Sequence, residues 1–316
     1  MLKFNSRKIR RRNNVFTIVK ADSSKAKEIA IFIANENRIT SNYCGYCGEE
    51  EHEILHSLIE DVSDVPYNES FALAYEDDLL VGVIGFDADL ENGNAEIWGP
   101  FIRHSEHQQI TKQLWEFLLQ LIPKTINMVH FFISTENTNQ REFLLHNDFM
   151  DQESKHTIFT VNKESLIAAA SVKNIKELTE NGEDVFENLH DTHFPSTYYN
   201  SQQIIERINE FHKVFVYETE NEVVGYIYVE IQPEFAEGSI EFFAVDEKHR
   251  GKGIGVQLLT YAVKWMLSNP HLRRIDLCVN HDNKPAINLY QRIGFVIQKE
   301  LFHIKKQLSA ETYSRK

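Results

Sequence analysis

Cysteine is scarce in this 316-residue chain, long apolar runs are missing, and positive charge is in deficit. The only cysteines are Cys44, Cys47 and Cys278, an odd set that argues against a secreted disulfide framework and fits a reducing compartment. No stretch approaches the roughly 18 uninterrupted apolar residues of a membrane span, and no apolar segment follows the basic start as a signal peptide would require. A formal net charge of -14 repels nucleic-acid phosphates and anionic lipid over most of the protein. These deficits point to a cytoplasmic protein with neither nucleic acid nor membrane as partner. A cationic ligand such as an amine would be attracted.

What the chain does hold is enough apolar sequence for buried cores. Hydrophobic residues make up 42% and charged residues 25%, the balance of a soluble globular protein, and the length suits two domains. The one basic region is the start, where Lys3, Arg7, Lys8, Arg10, Arg11 and Arg12 precede any acidic residue. Residues 1–14 read as a solvated tail leading into a strand at Phe16–Val19, with an RNA- or lipid-touching arm and a transit peptide as the alternatives.

Alternation and β-branched residues predict a three-strand meander from Phe71: FALAYED, LLVGVIGFDADL and AEIWGPFI. The second half repeats it as KVFVYETE, EVVGYIYVEI and GSIEFFAV, with a turn at Glu220-Asn221. Val81-Gly82 maps onto Val224-Gly225 and Ile102 onto Val245 at one offset of 143 residues. An amphipathic helix follows in each half, around Leu114, Phe117, Leu118 and Leu121, then around Leu258, Leu259, Ala262 and Met266. An apolar strand and a shorter helix come next, with Asn137 and Phe149 answering Asn283 and Phe295 at an offset of 146. Helical text also precedes each meander, at 24–35 and 50–60, then at 182–193 and 201–210. The expected organisation is a tandem duplication of one α/β unit, over 15–165 and 166–316, joined between Val161 and Lys173.

In the second half the strand SIEFFAV runs into Arg250-Gly251-Lys252-Gly253-Ile254-Gly255 at a helix start. Glycines there permit positive φ and close backbone approach, so successive N–H groups can point at a diphosphate. Arg250 and Lys252 add charge. The spacing fits neither the dinucleotide fingerprint nor a Walker loop. The residues resemble the GNAT superfamily of acyl-CoA N-acyltransferases, whose Arg/Gln-x-x-Gly-x-Gly/Ala motif is matched by Arg250, Gly253 and Gly255. The later series from Val279 to Phe295, with Asn283, Ala286, Leu289-Tyr290 and Gly294-Phe295, is similar to that family's second motif. The resemblance covers about residues 180–307 well and about 16–161 in degenerate form.

The resemblance implies an α/β (α+β) fold of two tandem GNAT-like domains, each a mixed, mostly antiparallel sheet flanked by helices. Strands at 238–245 and 274–279 would splay to admit acetyl-CoA as acyl donor. The backbone near Phe243 and Val245 would hold its pantetheine arm, and Gly251, Lys252, Gly253, Ile254 and Gly255 its diphosphate. Asn283 would meet one or the other. Tyr290 stands where the family has its general acid.

Acyl transfer to an amine also needs a base and an oxyanion donor. Strict alternation puts Ser239, Glu241 and Phe243 on one face. Glu241 is the ionisable candidate, acting directly, through water, or as a contact for the substrate ammonium, and its apolar neighbours favour a raised pKa. A backbone N–H near Val245 would serve the oxyanion, and His193, Tyr198 and Tyr199 lie where the acceptor pocket is expected. The first half has lost the loop: Arg250, Gly251, Gly253 and Gly255 fall on His107, Gln108, Ile110 and Lys112, and Tyr290 on Leu144. It is expected not to catalyse. Cys44, Cys47, His52 and His56 allow zinc in principle, but a polar turn before a helix is the preferred reading, and no metal is expected.

The sequence therefore predicts an N-acetyltransferase, monomeric or homodimeric, acting on a primary amine of a small molecule or peptide. A longer acyl donor or an oxygen acceptor remains open within that class. The competing class is a non-catalytic acyl-CoA sensor or interaction protein.

Overall fold

A computed structural model describes residues 16–60, 63–146, 152–167, 173–195, 197–219 and 222–308. The basic tail, Phe149 and the Glu220-Asn221 turn lie outside the described residues. The chain forms two compact units, one of residues 1–154 with 302–316, the other of 155–301.

The first unit opens with β1 (Phe16–Lys20), α1 (Ala26–Asn37), α2 (Glu51–Ile59) and α3 (Tyr67–Ser70). The meander follows as β2 (Phe71–Glu76), β3 (Leu79–Asp89) and β4 (Asn94–Ile102), then α4 (His107–Leu121), β5 (Met128–Ser134) and α5 (Thr138–His146). After β6 (Gln152–Val161), the second unit repeats the plan. Its elements are β7 (Ile175–Glu177), α6 (Glu183–His193), α7 (Ser201–Arg207), β8 (His212–Thr219), β9 (Glu222–Gln232), β10 (Glu237–Val245), α8 (Ile254–Leu267), β11 (Arg274–Asn280), α9 (Lys284–Ile293) and β12 (Val296–Gln307).

Within the first unit the strands run β1-β2-β3-β4-β5 and then the end of β12; within the second they run β6-β11-β10-β9-β8-β7. The meander pairs are antiparallel, while β4 with β5 and β10 with β11 are parallel. Central strands β3 and β9 are buried almost end to end, which explains their near-continuous apolar text: helices cover both faces. In the second unit α8 supplies Leu258, Leu259, Ala262, Val263 and Met266 to one core, each fully buried. Each larger side chain among them contributes about 1.5–3 kcal/mol of burial energy. On the opposite face α6 and α7 bring Phe186 and Ile204 against Val214, Val216, Tyr226 and Tyr228.

The units divide the chain elsewhere than the join read between Val161 and Lys173. Residues 155–161 belong to the second unit, where His156–Val161 pair antiparallel with Ile275–Asn280. Residues 302–308 belong to the first, where Ile304 and Leu308 enter the core and the Leu308 N–H donates to the Asn127 carbonyl at 2.7 Å. Each unit is thus completed by a strand from beyond its own stretch of sequence. No helix among the described residues is long and apolar enough to cross a membrane.

Candidate active site

Parallel pairing of β10 with β11 covers only Glu237–Ser239 against Arg274–Asp276. Beyond Ser239 the two strands part, because β10 stays on β9 while β11 follows β6. This leaves an opening between the distal halves of β10 and β11, at the end from which the glycine-rich loop departs.

Asp246 starts that loop, its carboxylate accepting from the Lys248 N–H at 2.8 Å. Arg250 turns back on the strand: Nε donates to the Val245 carbonyl at 3.1 Å and a terminal nitrogen to Glu247 at 3.3 Å. The guanidinium therefore ties loop to strand, while Lys252 is exposed. Gly251 and Gly253 have φ of 76° and 79°, a region costly for residues with a Cβ, and a Cβ at either would meet nothing within 4 Å. Space above the backbone is open on that side. Gly253 caps α8 and so offers no side-chain acceptor to the N–H groups of the first turn. Gly255 has a different reason to be glycine, since a Cβ there would lie 3.1 Å from the Phe243 ring and 3.2 Å from Leu289. These features fit a diphosphate on open backbone at Gly251–Gly253, over a helix start packed tightly beneath.

Strict alternation fails in β10. Ser239 pairs with Glu230 and Ile240 with Val229, but Phe242 pairs with Tyr228, so a β-bulge leaves Glu241 without an opposite residue. The extra residue reverses the phase of everything after it. Phe243 packs in the α8 core, beside Gly255, while Glu241 is held from the α6–α7 side by Tyr198. The expectation that Ser239, Glu241 and Phe243 share one face is corrected accordingly: Ser239 and Glu241 do, and Phe243 does not.

Tyr198 donates to Glu241 Oε2 at 2.5 Å, and Ser239 also bonds that carboxylate. Burial raises the Glu241 pKa, and the two hydroxyls offset part of the rise. Tyr198 is 60% exposed as a residue, yet burial at its hydroxyl, then the Glu241 charge, pushes the phenol well above its ordinary range. Tyr199 lies edge-on to Tyr198 with ring centres 4.9 Å apart, and the Arg207 guanidinium sits over the Tyr199 ring. His193 turns away, its Nδ1 bonding the Leu189 carbonyl of its own helix at 2.9 Å.

Tyr290 is buried in α9 between Phe159 and Phe295. Burial, then the charge of Cys278, pushes its phenol up to about 12. Cys278 stands on the splayed part of β11, open to solvent yet surrounded by protein, and its thiol is pushed up to about 12 by that enclosure and by Glu241. Glu241 and Tyr290 thus both lie within electrostatic reach of one position in the opening. Asn283 caps α9, its Oδ1 accepting from the Ala286 N–H at 3.3 Å. Its counterpart Asn137 accepts from Gln140 N–H at 3.1 Å, so capping is the role the two positions share.

Two polar groupings on the α6–α7 side escape a reading by motif. His190 is fully buried, with Nδ1 2.6 Å from the Tyr226 hydroxyl and Nε2 2.9 Å from the Tyr199 carbonyl. Since a carbonyl only accepts, Nε2 carries the proton and the Tyr226 hydroxyl donates to Nδ1. Arg207 grips Glu230 through both Nε and a terminal nitrogen, at 3.2 and 3.1 Å, and Tyr228 donates to the same carboxylate at 2.5 Å. The only sequence signal for His190 is its place one helical turn after Phe186. Arg207 and Glu230 carry none. A separate depression of about 560 Å³, around Leu178, Glu183 and Ile208, includes no predicted site residue.

The first unit keeps the parallel register, with Asn94–Glu96 against Met128–His130, but not the opening. Tyr43–Gly45 occupies the edge of β5 instead: Gly45 N–H donates to Phe132 carbonyl at 2.7 Å, and Ser134 N–H to Tyr43 carbonyl at 3.0 Å. The Cys44 thiol reaches the Ile97 carbonyl of β4 at 3.6 Å. Asn37, fully buried, bonds the Cys44 N–H and the Cys44, Cys47 and Gly48 carbonyls at 2.7–3.2 Å. The preferred reading of Cys44–Cys47 as a polar turn is therefore corrected to a buried plug, because the strands it lies between leave ladder groups to satisfy. His52 and His56 are exposed on α2, and among the described residues no group of three His, Cys, Asp or Glu is arranged to hold a metal. The residues matching the loop form the first turns of α4, with Ile110 buried.

A splayed parallel pair beside a glycine-rich helix start is the arrangement that the resemblance to acyl-CoA N-acyltransferases implied. The model of the acetyltransferase (GNAT) family matches residues 175–295. Spermine/spermidine N(1)-acetyltransferase of Bacillus subtilis (strain 168) is 30% identical over 138 residues, 40% of this chain and 90% of that protein. An N-alpha-acetyltransferase of Sulfurisphaera tokodaii is 36% identical over 110 residues, 31% of this chain and 66% of that one. Among solved structures, a GCN5-related N-acetyltransferase from Sphaerobacter thermophilus aligns with a TM-score of 0.71 at 14% identity, over 92% of this chain and 95% of that one. A tandem GNAT protein from the clavulanic acid biosynthesis pathway aligns at 0.63 and 13% identity, over 93% and 98%. The chain belongs to the GNAT acetyltransferase family, is an acyltransferase, and carries that fold through both units.

Proposed function

We propose that the second unit transfers the acetyl group of acetyl-CoA directly to a primary amine, with Tyr290 as general acid and Glu241 as base. The observation that carries this reading is the parting of β10 from β11 after Ser239 and Asp276, beside the open backbone of Gly251 and Gly253, with Glu241 on the first of those strands. The donor supplies a thioester whose carbonyl carbon accepts the amine nitrogen and whose sulfur departs as thiolate. Gly251, Lys252, Gly253, Ile254 and Gly255 offer the diphosphate open backbone and the N–H groups of a helix start, with Arg250 holding the loop in place. The backbone at Phe243 and Val245 borders the opening and lines the pantetheine path, and a Val245 N–H serves the oxyanion. Asn283 keeps its amide NH2 for the same ligand.

Tyr290 holds its proton throughout the neutral range and can give it up to a thiolate. Glu241, raised above the ordinary carboxylate range by burial, is better matched to an ammonium proton than an ordinary carboxylate, and the Tyr198 hydroxyl steadies its charged form. A cationic acceptor, polyamine-like or a basic peptide, fits the net charge of -14 and the carboxylate of Glu241. The polyamine-acetylating relative supports the same class.

The test is acetyl-CoA turnover with a panel of monoamines, polyamines and basic peptides. At least one amine should raise turnover tenfold or more over thioester hydrolysis. The active form has Glu241 ionised, so kcat/KM should climb with pH through an ionisation above the usual 4.5, and Glu241→Gln should remove that limb. Slow hydrolysis indifferent to every amine and to Tyr290→Phe would sink the reading and favour a sensor.

A further inference from the structure

Glu230 is 7% exposed on the central strand β9, and the proposed transfer makes no use of it. A carboxylate buried there is costly unless paired. Arg207, the last residue of α7, meets it through Nε at 3.2 Å and a terminal nitrogen at 3.1 Å, and the Tyr228 hydroxyl donates to it at 2.5 Å. Those partners satisfy Glu230, but they do not explain its place. Glu230 stands opposite Ser239 in the β9–β10 register, and Ser239 bonds the carboxylate of Glu241. The ion pair therefore lies one strand away from the candidate base.

Arg207 reaches Glu241 by a second route. Its guanidinium carbon lies 4.4 Å from the centre of the Tyr199 ring, Tyr199 meets Tyr198 edge-on, and the Tyr198 hydroxyl donates to Glu241. The main chain of this segment is fixed separately: His190 bonds the Tyr199 carbonyl, Asn200 and Gln203 cap α7 reciprocally, and Asp191 accepts from the Ser201 N–H and hydroxyl. The rings are held by other contacts, Tyr198 by Phe242 at 4.9 Å and Tyr199 by Arg207. Among the described residues, the charged and titratable groups on the side of Glu241 are Tyr198, His190 from α6, Arg207 from α7, Glu230 and Tyr228 from β9, and Cys278 and Asp276 from β11. His190 is kept neutral by burial, and Asp276 is paired with Arg274 at 3.0 Å. Glu230 raises the pKa of Glu241 and Arg207 lowers it, both less than burial and the two hydroxyls do. Joined by a fork, the two charges largely cancel at Glu241. Loss of either leaves the other acting alone.

We propose that Arg207 is a positioning residue for Glu241: its fork on Glu230 and its stack on Tyr199 hold the Tyr198 hydroxyl against that carboxylate and balance the charge beside it. Its consequence for catalysis rests on the reading of Glu241 as base, whereas the placement itself does not.

Carboxyl carbon NMR of the full chain tests it, with the Glu241 signal identified as the one missing from Glu241→Gln, beside the pH profile of kcat/KM with an acceptor amine. Arg207→Gln removes the charge that lowers the Glu241 pKa and uncovers the one that raises it. Glu241 should then titrate about half a pH unit or more higher, and the acid limb of kcat/KM should move up with it. Glu230→Gln does the reverse, and both should move down by a similar amount. Arg207→Lys restores the charge without the planar fork and should recover most of the rise seen in Arg207→Gln. An acetyl-CoA Kd within a few-fold of the parent reports that each variant is folded. Glu230→Gln keeps the shape of its side chain, so its downward shift decides the matter alone where Arg207→Gln does not fold. The proposal is overturned if Glu230→Gln leaves Glu241 unmoved or raises it, if Arg207→Gln fails to raise it, or if Arg207→Lys recovers nothing. Opposite shifts of the carboxyl signal, with a kcat/KM limb that survives Glu241→Gln, would uphold the placement and sink the base assignment instead.

Discussion

One parallel strand pair occurs twice in this molecule, in matching register, and its two copies come to opposite ends. In the second unit β10 and β11 part after three residues and the gap stays open beside Gly251–Gly255. In the first, β4 and β5 part at the same place, and Tyr43–Gly45 fills the gap with main-chain hydrogen bonds. Parted strands expose ladder groups, and such groups must find partners. A protein can meet that demand with a ligand or with itself. Once the chain supplies the partner, glycine at the loop has no further use, and helix α4 runs through the positions where the glycines would stand.

The sharpest way to break this contrast is at the proton donor. Tyr290→Phe should lower kcat by about 10²–10⁴ while leaving the Kd for acetyl-CoA within a few-fold, read by steady-state kinetics and calorimetry. A smaller effect, about 100-fold on the Kd for acetyl-CoA, is expected of Gly253→Tyr, which forces a side chain onto a backbone at φ 79°. Unchanged binding would remove the loop from the site. Asn37→Ala attacks the other copy: four hydrogen bonds to the plug disappear, and the first unit should lose about 2–4 kcal/mol in denaturant unfolding. Acetyl-CoA binding in the second unit should not move. The smallest shift is expected of Tyr198→Phe. Losing a donor to the charged carboxylate favours its neutral form, so the acid limb of kcat/KM should move up by about half to one pH unit.

The duplication was legible because it is written in periodicity. The offsets of 143 and 146 that align the two halves also align Asn94 with Glu237 and Met128 with Arg274, the residues that open each parallel pairing. The glycine loop was legible because positive φ leaves a mark in composition. The bulge at Glu241 left none, since Phe242, Phe243, Ala244 and Val245 after it are all apolar and do not report which face each takes. Nor did the plug, because Cys44-Gly-Tyr-Cys47 has the look of a surface turn and its partners on the strands lie some 50 to 90 positions away. The Arg207–Glu230 and His190–Tyr226 pairs join residues 23 and 36 positions apart, and only the folded chain brings them together.

The crossed ownership of the closing strands also sets a timetable. The first unit needs Ile304 and Leu308 for its core, so during synthesis its first 154 residues wait, incomplete, until the whole second unit has been made. The half that emerges first is therefore the half that finishes last, and a break in translation anywhere before residue 302 leaves a sheet edge open to the wrong neighbour.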